Sequence, residues 1–389
     1  AAMRTAIVLA AMVTGGEAFM LSSSPMLSSS LPSSPFLSSS SSFPSSSSTR
    51  TFLEPLQGVT KGRASPRWTQ RRKATGVVAS FVPDKDFFTK QQSSQADAIT
   101  LRDPVKLVNS ITKEEVSIFK NGACLTSYKT PNYDVFFVRP DAVLDGSKPI
   151  SGGIPICFPQ FGPGEIQQHG FARNMEWKCV DVRTENAAGS KALSWTREGS
   201  RAIYELVANN KTKEIWPHSF SCRYQIDLNA GNLNLELRVQ NTGKREFSFT
   251  GALHTYFAVD DIDQIAIEGD FKGKTYLDKT LSPPQEKTET ENTLKISSFT
   301  ERIYSDCAKK LSLKDGDKSV VIKCSNGWKD IAIWNPYGEE KMGYKKFVCI
   351  EHGVIREPVE LQPDESWVST VDILPYFNGL PAWTQSLDS

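Results

Sequence analysis

The chain has 389 residues, with 45 Lys and Arg against 44 Asp and Glu and a formal net charge of +1 at pH 7. Residues 1–75 carry eight basic and two acidic side chains, which leaves a formal charge of −5 on residues 76–389. This mildly acidic body argues against nucleic acid as a partner, because nucleic acid binding requires a basic surface. The seven cysteines are dispersed without a Cys-x-x-Cys motif, so they predict reduced thiols, not a disulfide framework or a zinc site.

The first 75 residues predict targeting segments. Residues 1–18 have an early Arg, a short apolar run and a small-residue exit, which is typical of a secretory signal peptide and too short to span a membrane. Residues 19–75 are rich in Ser and then in Arg with almost no acid, which is typical of a disordered transit peptide. The combination resembles two-part presequences that direct proteins into plastids, so we expect a plastid stromal protein without a membrane partner. A secreted protein with a Ser-rich stalk is the alternative.

Most periodic segments of the body have a period of two, which predicts β-strands with one buried face. The segments Tyr224–Leu228 and Leu233–Val239 alternate clearly, and Asn229–Asn232 between them has the turn residues of a hairpin. The other predicted strands are Val116–Phe119, Val135–Val138, Leu193–Trp195, Ile203–Val207, Phe247–Leu253, Gln264–Glu268, Val320–Lys323, Ile331–Trp334, Phe347–Ile350 and Trp367–Ile373.

The number of short strands determines the predicted fold class. No apolar stripe of helical period extends over ten residues, so the body is predicted to be an all-β sandwich or barrel. We place a linker at residues 76–104, the β domain at 105–376 and a C-terminal tail at 377–389. The polar segment Ser282–Thr293 is predicted to be an exposed connection between strands.

Two neighbouring segments, Gly152–Gly162 and Gln168–Asn174, are too rich in Gly and Pro for a helix or a long strand. The second presents an amide, an imidazole and a guanidinium from Gln168, His169 and Arg173. We therefore expect a rigid loop that holds polar side chains at the mouth of a site.

Two further candidates end apolar strands. His254 follows Phe247–Leu253 and is either a catalytic group or a hydrogen-bonded core histidine. Glu351 follows Phe347–Ile350, and because a buried unpaired carboxylate is costly it has either a partner or a function there. A solvent-facing glutamate at the end of a strand is the simpler alternative.

Six further segments add to the Gly152–Asn174 region. They are Trp216–Phe220, Asn241–Gly243, Leu253–Phe257, Tyr276–Lys279, Ile333–Pro336 and Val348–Glu351. Their identity, order and spacing resemble the glucose-6-phosphate 1-epimerase group of the aldose 1-epimerase superfamily. The resemblance implies the β-supersandwich of galactose mutarotases, with large antiparallel sheets, and an isomerase that needs no metal or other cofactor.

The resemblance implies that His254 and Glu351 are the catalytic pair. Exchange of α and β anomers opens the hemiacetal ring, rotates about C1–C2 and closes the ring on the other carbonyl face. Opening needs a base at O1 and an acid at the ring oxygen, and a carboxylate and an imidazole fill these roles at neutral pH. We assign Glu351 as the base and protonated His254 as the acid, with the roles reversed on closure.

The resemblance also implies binding residues for a sugar phosphate. Gln168 and Arg173 are expected to contact the substrate, since a guanidinium can fork onto phosphate oxygens. His169 either hydrogen-bonds the sugar or orients its neighbours, and Glu301 stands where an acidic substrate-site residue is expected. Ser151 departs from the pattern, because the enzymes it resembles usually have a phosphate-binding Arg there.

The sequence leaves the roles of Lys148 and His352 open. Lys148 is a candidate to replace the charge missing at position 151. His352 follows the proposed base directly and either tunes Glu351 or is tolerated there.

Other functions are compatible with the same residues. A non-catalytic carbohydrate-binding protein would keep the pair as ligand contacts, and an aldose 1-epimerase would act on free sugars. A metal-dependent jelly-roll enzyme is disfavoured because the chain has no His-x-His pair. The preferred hexose and the oligomeric state do not follow from the sequence.

Overall fold

A computed structural model describes residues 103–184, 199–306 and 309–384. Over these ranges the chain forms 21 strands, one α-helix and three 3-10 helices. The strands pair antiparallel in large sheets, for example over the full lengths of two ten-residue neighbours. The all-β prediction is therefore confirmed.

Two sequence predictions concern residues that the structure does not describe. The presequence over 1–75 and the strand predicted at Leu193–Trp195 lie outside the described residues, so they stay predictions. None of the described helices is long and apolar enough to cross a membrane.

In chain order the strands are β1 (Val105–Asn109), β2 (Glu114–Phe119), β3 (Cys124–Lys129), β4 (Ile156–Cys157), β5 (Lys178–Arg183), β6 (Ser200–Val207), β7 (Phe220–Asn229), β8 (Asn232–Asn241), β9 (Phe247–Leu253), β10 (Tyr256–Ala258), β11 (Ala266–Glu268), β12 (Thr275–Asp278), β13 (Gln285–Thr288), β14 (Thr293–Leu294), β15 (Thr300–Ser305), β16 (Lys310–Asp315), β17 (Lys318–Cys324), β18 (Asp330–Asn335), β19 (Phe347–Leu361), β20 (Ser366–Phe377) and β21 (Leu380–Pro381). The helix α1 is Asn210–Ile215, and the 3-10 helices are Ala172–Asn174, Glu340–Met342 and Tyr344–Lys346.

The strands form three sheets. A small sheet has the order β1-β2-β3. An eight-stranded sheet has the order β13-β12-β15-β18-β19-β9-β4, with β10 also paired to β19. A ten-stranded sheet has the order β14-β11-β16-β17-β20-β8-β7-β6-β5, with β21 paired to β20.

The hairpin predicted around Asn229–Asn232 is present, because β7 and β8 pair from Phe220↔Asn241 to Asn229↔Asn232. Only Ala230 and Gly231 form the loop, and Gly231 adopts a positive φ of 68°, which glycine reaches without strain. Buried and half-buried residues alternate along both strands, as the period-two pattern predicts.

Eleven of the 21 described strands and all the described helices were not predicted, and the predicted strand Val135–Val138 forms only isolated bridges. Three of the missed elements illustrate why. The helix α1 begins with a capping box between Asn209 and Thr212, and its six residues are too few to show a helical period. The exposed strand β13 lies inside the polar segment Ser282–Thr293, which contains an edge strand and not only a connection. The two-residue strand β21 lies in the stretch predicted as a tail.

The strand β19 separates two environments, and this positions the site. Residues 347–354 are all buried. Val348 and Ile350 belong to the main apolar core, whereas Phe347 and Cys349 join Tyr256 in a second, smaller cluster. Because successive side chains of a strand point to opposite faces, Glu351 lies on the face of the smaller cluster.

Candidate active site

His254 and Glu351 are cross-strand neighbours. The strands β9 and β10 both pair with β19, through Leu253↔His352 and Tyr256↔Cys349. This register places His254 directly opposite Glu351, although the two are far apart in the sequence. Opposite residues of an antiparallel pair point to the same face with their Cβ atoms close together. The sheet register therefore brings these two groups into contact.

The contact between the two groups is direct. His254 Nδ1 lies 3.4 Å from Glu351 Oε1, and the side chains are 9% and 3% exposed. Only a narrow edge of the pair therefore reaches the surface.

Burial dominates the electrostatics of the pair. It lowers the pKa of His254 well below 6.5, and His169 and Arg173 lower it further. Burial likewise raises the pKa of Glu351 well above 4.5, with Glu301 raising it further and Lys279 opposing. Both shifts favour the neutral form, so a proton held by the pair resides on Glu351 in the free protein.

Aromatic rings line the wall beside the pair. The Tyr256 ring stacks on the His254 imidazole with centroids 4.8 Å apart and planes 9° apart. The half-buried Trp334 meets the same imidazole edge-on at 5.9 Å. These rings fix the orientation of His254 and give the site an apolar surface that suits the carbon face of a sugar.

The pair and Cys349 together offer donor atoms that could hold a divalent cation. The ligating atoms of His254, Cys349 and Glu351 all lie within 4.8 Å of one another. Burial raises the pKa of the Cys349 thiol well above 9, so this thiol stays protonated at neutral pH. Since a thiol binds metal as the thiolate, metal binding here would have to displace that proton.

The Gly-rich loop is held close to the sheets by its backbone. Gly153 has a φ of 63°, and a Cβ there would lie 1.9 Å from the carbonyl oxygen of Leu125. Gly153 also accepts a hydrogen bond at its carbonyl from the Tyr256 N–H, at 2.8 Å. The glycine thus permits the loop to lie against β3 and beside the catalytic candidates.

His169 is a neutral hydrogen-bonding group in this loop. Its Nδ1 accepts from the Gly162 N–H at 3.2 Å and lies 3.3 Å from Cys157 Sγ. Its pKa is lowered to about 4, first by burial and then by Arg173. The Nε2 therefore carries the ring proton and can donate it, and the ring meets His254 edge-on at 5.4 Å.

Charged side chains surround the open side of the pair. Arg173 Nη2 donates to the Gln168 carbonyl at 2.9 Å, while its buried Nε has no partner among the described residues. Lys279 forms an ion pair and a hydrogen bond with Glu301. Gln168 itself is exposed. Two cations and one carboxylate thus lie close enough to the buried pair to act on the pKa of Glu351.

The chain is similar to known proteins over most of its described residues. The family model described as aldose 1-epimerase matches residues 104–374, which is more than half of the chain. The chain belongs to the aldose 1-epimerase family. A relative from Cenchrus ciliaris, named "Putative glucose-6-phosphate 1-epimerase", is 32% identical over 266 residues, covering 64% of this chain and 78% of the relative. A relative of the same name from Escherichia coli K12 is 28% identical over 61% of this chain and 79% of its own length.

Solved structures show the same fold. A "putative mutarotase" from Salmonella typhimurium superposes with a TM-score of 0.61 at 24% identity, over 71% of this chain and 92% of its own. The galactose 1-epimerase of Lactobacillus acidophilus superposes with a TM-score of 0.55 at 13% identity, over 70% and 93%. The β-supersandwich implied by the sequence resemblance is therefore confirmed.

Within this aldose 1-epimerase family member, His169 and Arg173 act on His254, and Glu301 acts on Glu351. Gln168 contacts His169. The roles of all six residues stay predictions. His352 is different, because it points to the core face of β19 and away from Glu351. Lys279 was missed as a site residue, although its segment Tyr276–Lys279 formed part of the resemblance. Tyr256 and Trp334 were missed in the same way, since a motif does not show which of its side chains reach the site.

Proposed function

We propose that the protein is a hexose-6-phosphate mutarotase that interconverts the α and β anomers of D-glucose 6-phosphate. The observation that carries the proposal is the contact between His254 and Glu351, with Arg173 and Lys279 beside it. An acid and a base in contact suit a reaction that only moves protons between two oxygens of one sugar. The two cations suit a substrate with a phosphate, and the relatives bearing the 1-epimerase name support this substrate.

In the proposed mechanism one proton is exchanged within the pair. In the free protein it resides on Glu351, because burial favours the neutral forms of both groups. A phosphate dianion at Arg173 raises the pKa of both groups, because Arg173 lowers both in the free protein. In the proposed roles the proton passes from Glu351 to His254 within the substrate complex, which leaves Glu351 as the base at O1 and His254 as the acid at the ring oxygen.

The remaining proposed steps require only positioning. His169 donates its Nε2 proton to a sugar hydroxyl, and Glu301 accepts from another. After ring opening, rotation about C1–C2 presents the other carbonyl face, and the pair returns its protons in reverse. General acid and base catalysis of this kind contributes about 10²–10⁴-fold per group.

The test uses a coupled assay in which a dehydrogenase consumes only the β anomer of glucose 6-phosphate. Starting from the α anomer, the purified protein is expected to raise the rate above spontaneous mutarotation. Glu351→Gln is expected to abolish the increase while leaving sugar-phosphate binding measurable by calorimetry. Binding without any rate increase in the wild type would identify a carbohydrate-binding protein instead.

We propose a plastid location on the composition of residues 1–75. A fluorescent fusion of these residues is expected to accumulate in plastids. Secretion of the fusion into the medium would support the secreted alternative.

A further inference from the structure

A second guanidinium, that of Arg139, approaches the site from a separate segment. The bridge Val138↔Gly152 and the hydrogen bond from Arg139 N to the Ser151 carbonyl, at 2.9 Å, join this segment to the Gly-rich loop. Arg139 is therefore the cross-strand neighbour of Ser151. The Arg139 side chain is only 14% exposed, which is unusual for a charged group with no role in the interior.

Two contacts hold the guanidinium in place. Asp141 accepts from Nε at 2.9 Å and from Nη2 at 2.5 Å, and this carboxylate is itself half exposed. The segment of Arg139 also reaches Tyr256, whose ring stacks on His254, because the Phe137 N–H donates to the Tyr256 carbonyl at 3.0 Å. An arginine has five N–H donors, so three remain after the two hydrogen bonds to Asp141.

The charge of Arg139 acts on the site. It lowers the pKa of His254 and that of Cys349, as a cation close to both groups must. Arg173 and Arg139 both lower the pKa of Tyr256 as well, from different elements of the fold. Two guanidinium groups therefore converge on the same tyrosine and imidazole.

Lys148, another cation near Ser151 in the sequence, does not lie beside the site as Arg139 does. Lys148 is exposed and interacts with Asp145 in its own turn. Ser151, opposite Arg139, has a short uncharged side chain that offers no charge of its own. The positive charge on this side of the site therefore comes from Arg139.

We propose that Arg139, together with Arg173, binds the phosphate of the substrate and sets the preference for phosphorylated over free sugars. This inference rests on the proposed mutarotase function. Binding of the phosphate between two guanidinium groups also neutralises both charges near His254. Arg139 is thus a specificity-determining residue, and its charge enters from the segment opposite Ser151, the position where resembling enzymes carry an arginine.

The experiment compares Arg139→Gln with the wild type on glucose 6-phosphate and on free galactose. We expect KM for the phosphate ester to rise about tenfold or more, as for the loss of a charge-assisted hydrogen bond, and the ratio of kcat/KM for glucose 6-phosphate to kcat/KM for galactose to fall by a similar factor. The exchange variant Arg139→Ser with Ser151→Arg is expected to recover most of the lost affinity. Calorimetric titration with inorganic phosphate gives an equilibrium readout that does not depend on turnover.

Arg183→Gln is the matched control. Arg183 forms the same kind of pair with an aspartate two residues away, Asp181, but lies on the edge strand of the other sheet. The Arg183→Gln variant is expected to leave the kinetic constants for both sugars and the phosphate affinity unchanged. An unchanged KM and phosphate affinity in Arg139→Gln, in a protein that does prefer glucose 6-phosphate, would overturn the inference alone. A wild type without any epimerase activity, whose phosphate binding still weakens in Arg139→Gln, would instead overturn the proposed function and leave the phosphate site in place.

Discussion

The buried imidazole of His352 makes the stability of the fold sensitive to acid. Burial on the core face of β19 lowers its pKa from 6.5 to about 4. An unfolded chain takes up a proton on this group near pH 6.5, whereas the folded chain keeps it neutral down to about pH 4. The unfolded state binds more protons in this window, so the group destabilises the fold as the pH falls below 6.5 and costs nothing above it.

The magnitude follows from the shift. Each pH unit in the window corresponds to about 1.4 kcal/mol, so falling from 6.5 to about pH 5 costs about 2 kcal/mol. His352→Leu removes the titrating group. We expect the free energy of unfolding of the variant, relative to wild type, to increase by about 2 kcal/mol between about pH 7.5 and about pH 5. Urea unfolding followed by tryptophan fluorescence measures this difference, and the effect of leucine on packing cancels because it is the same at both pH values.

The half-exposed His218 provides the control. Its pKa is lowered by partial burial and by Arg245, so His218→Leu is expected to give a much smaller pH-dependent difference. Parallel pH curves for wild type and His352→Leu would refute the reasoning, because they would mean that the folded protein accepts the proton at His352 without cost.

Three further predictions concern the site. Glu351→Gln and His254→Asn are each expected to lower kcat about 10²–10⁴-fold. The double variant is expected to be little worse than either single variant, because the pair acts as a unit. Steady-state kinetics of all three variants measures this, and additive losses would mean that the two groups act independently. Arg173→Lys keeps the charge but loses the forked geometry of the guanidinium. The KM for glucose 6-phosphate should therefore rise while galactose kinetics stay unchanged. An equal effect on both sugars would argue against a phosphate contact. Gly153→Ala forces a Cβ against the Leu125 carbonyl at positive φ, so thermal unfolding should show a loss of at least about 1–3 kcal/mol, and an unchanged melting temperature would show that the loop can move away.

Local patterns predicted the longer alternating strands because such patterns depend only on neighbours in the sequence. The alternation in Leu233–Val239 and the turn residues of Asn229–Asn232 correspond directly to β8 and its hairpin. The helix Asn210–Ile215 and the strand Gln285–Thr288 were missed because each is short and carries no apolar periodicity. Tertiary contacts, not local preference, decide such elements.

The candidate site was predicted only in part. The motifs identified His254 and Glu351, but not that they touch, since that depends on the register of β19 against two other strands. His352 stood next to the proposed base in the sequence, yet the two-residue period of β19 sends it into the core. No pattern in the sequence indicated Arg139, because its pairing with Ser151 joins two separate irregular segments.

The amino-acid order by itself determined an all-β body, its turns and the chemical types available for proton transfer, because these depend on side-chain identity and on short-range backbone preferences. Only the folded arrangement decided which groups share a proton and which cations surround them. Contact between distant strands requires one particular register, and the pKa of a buried group depends on everything that excludes water from it.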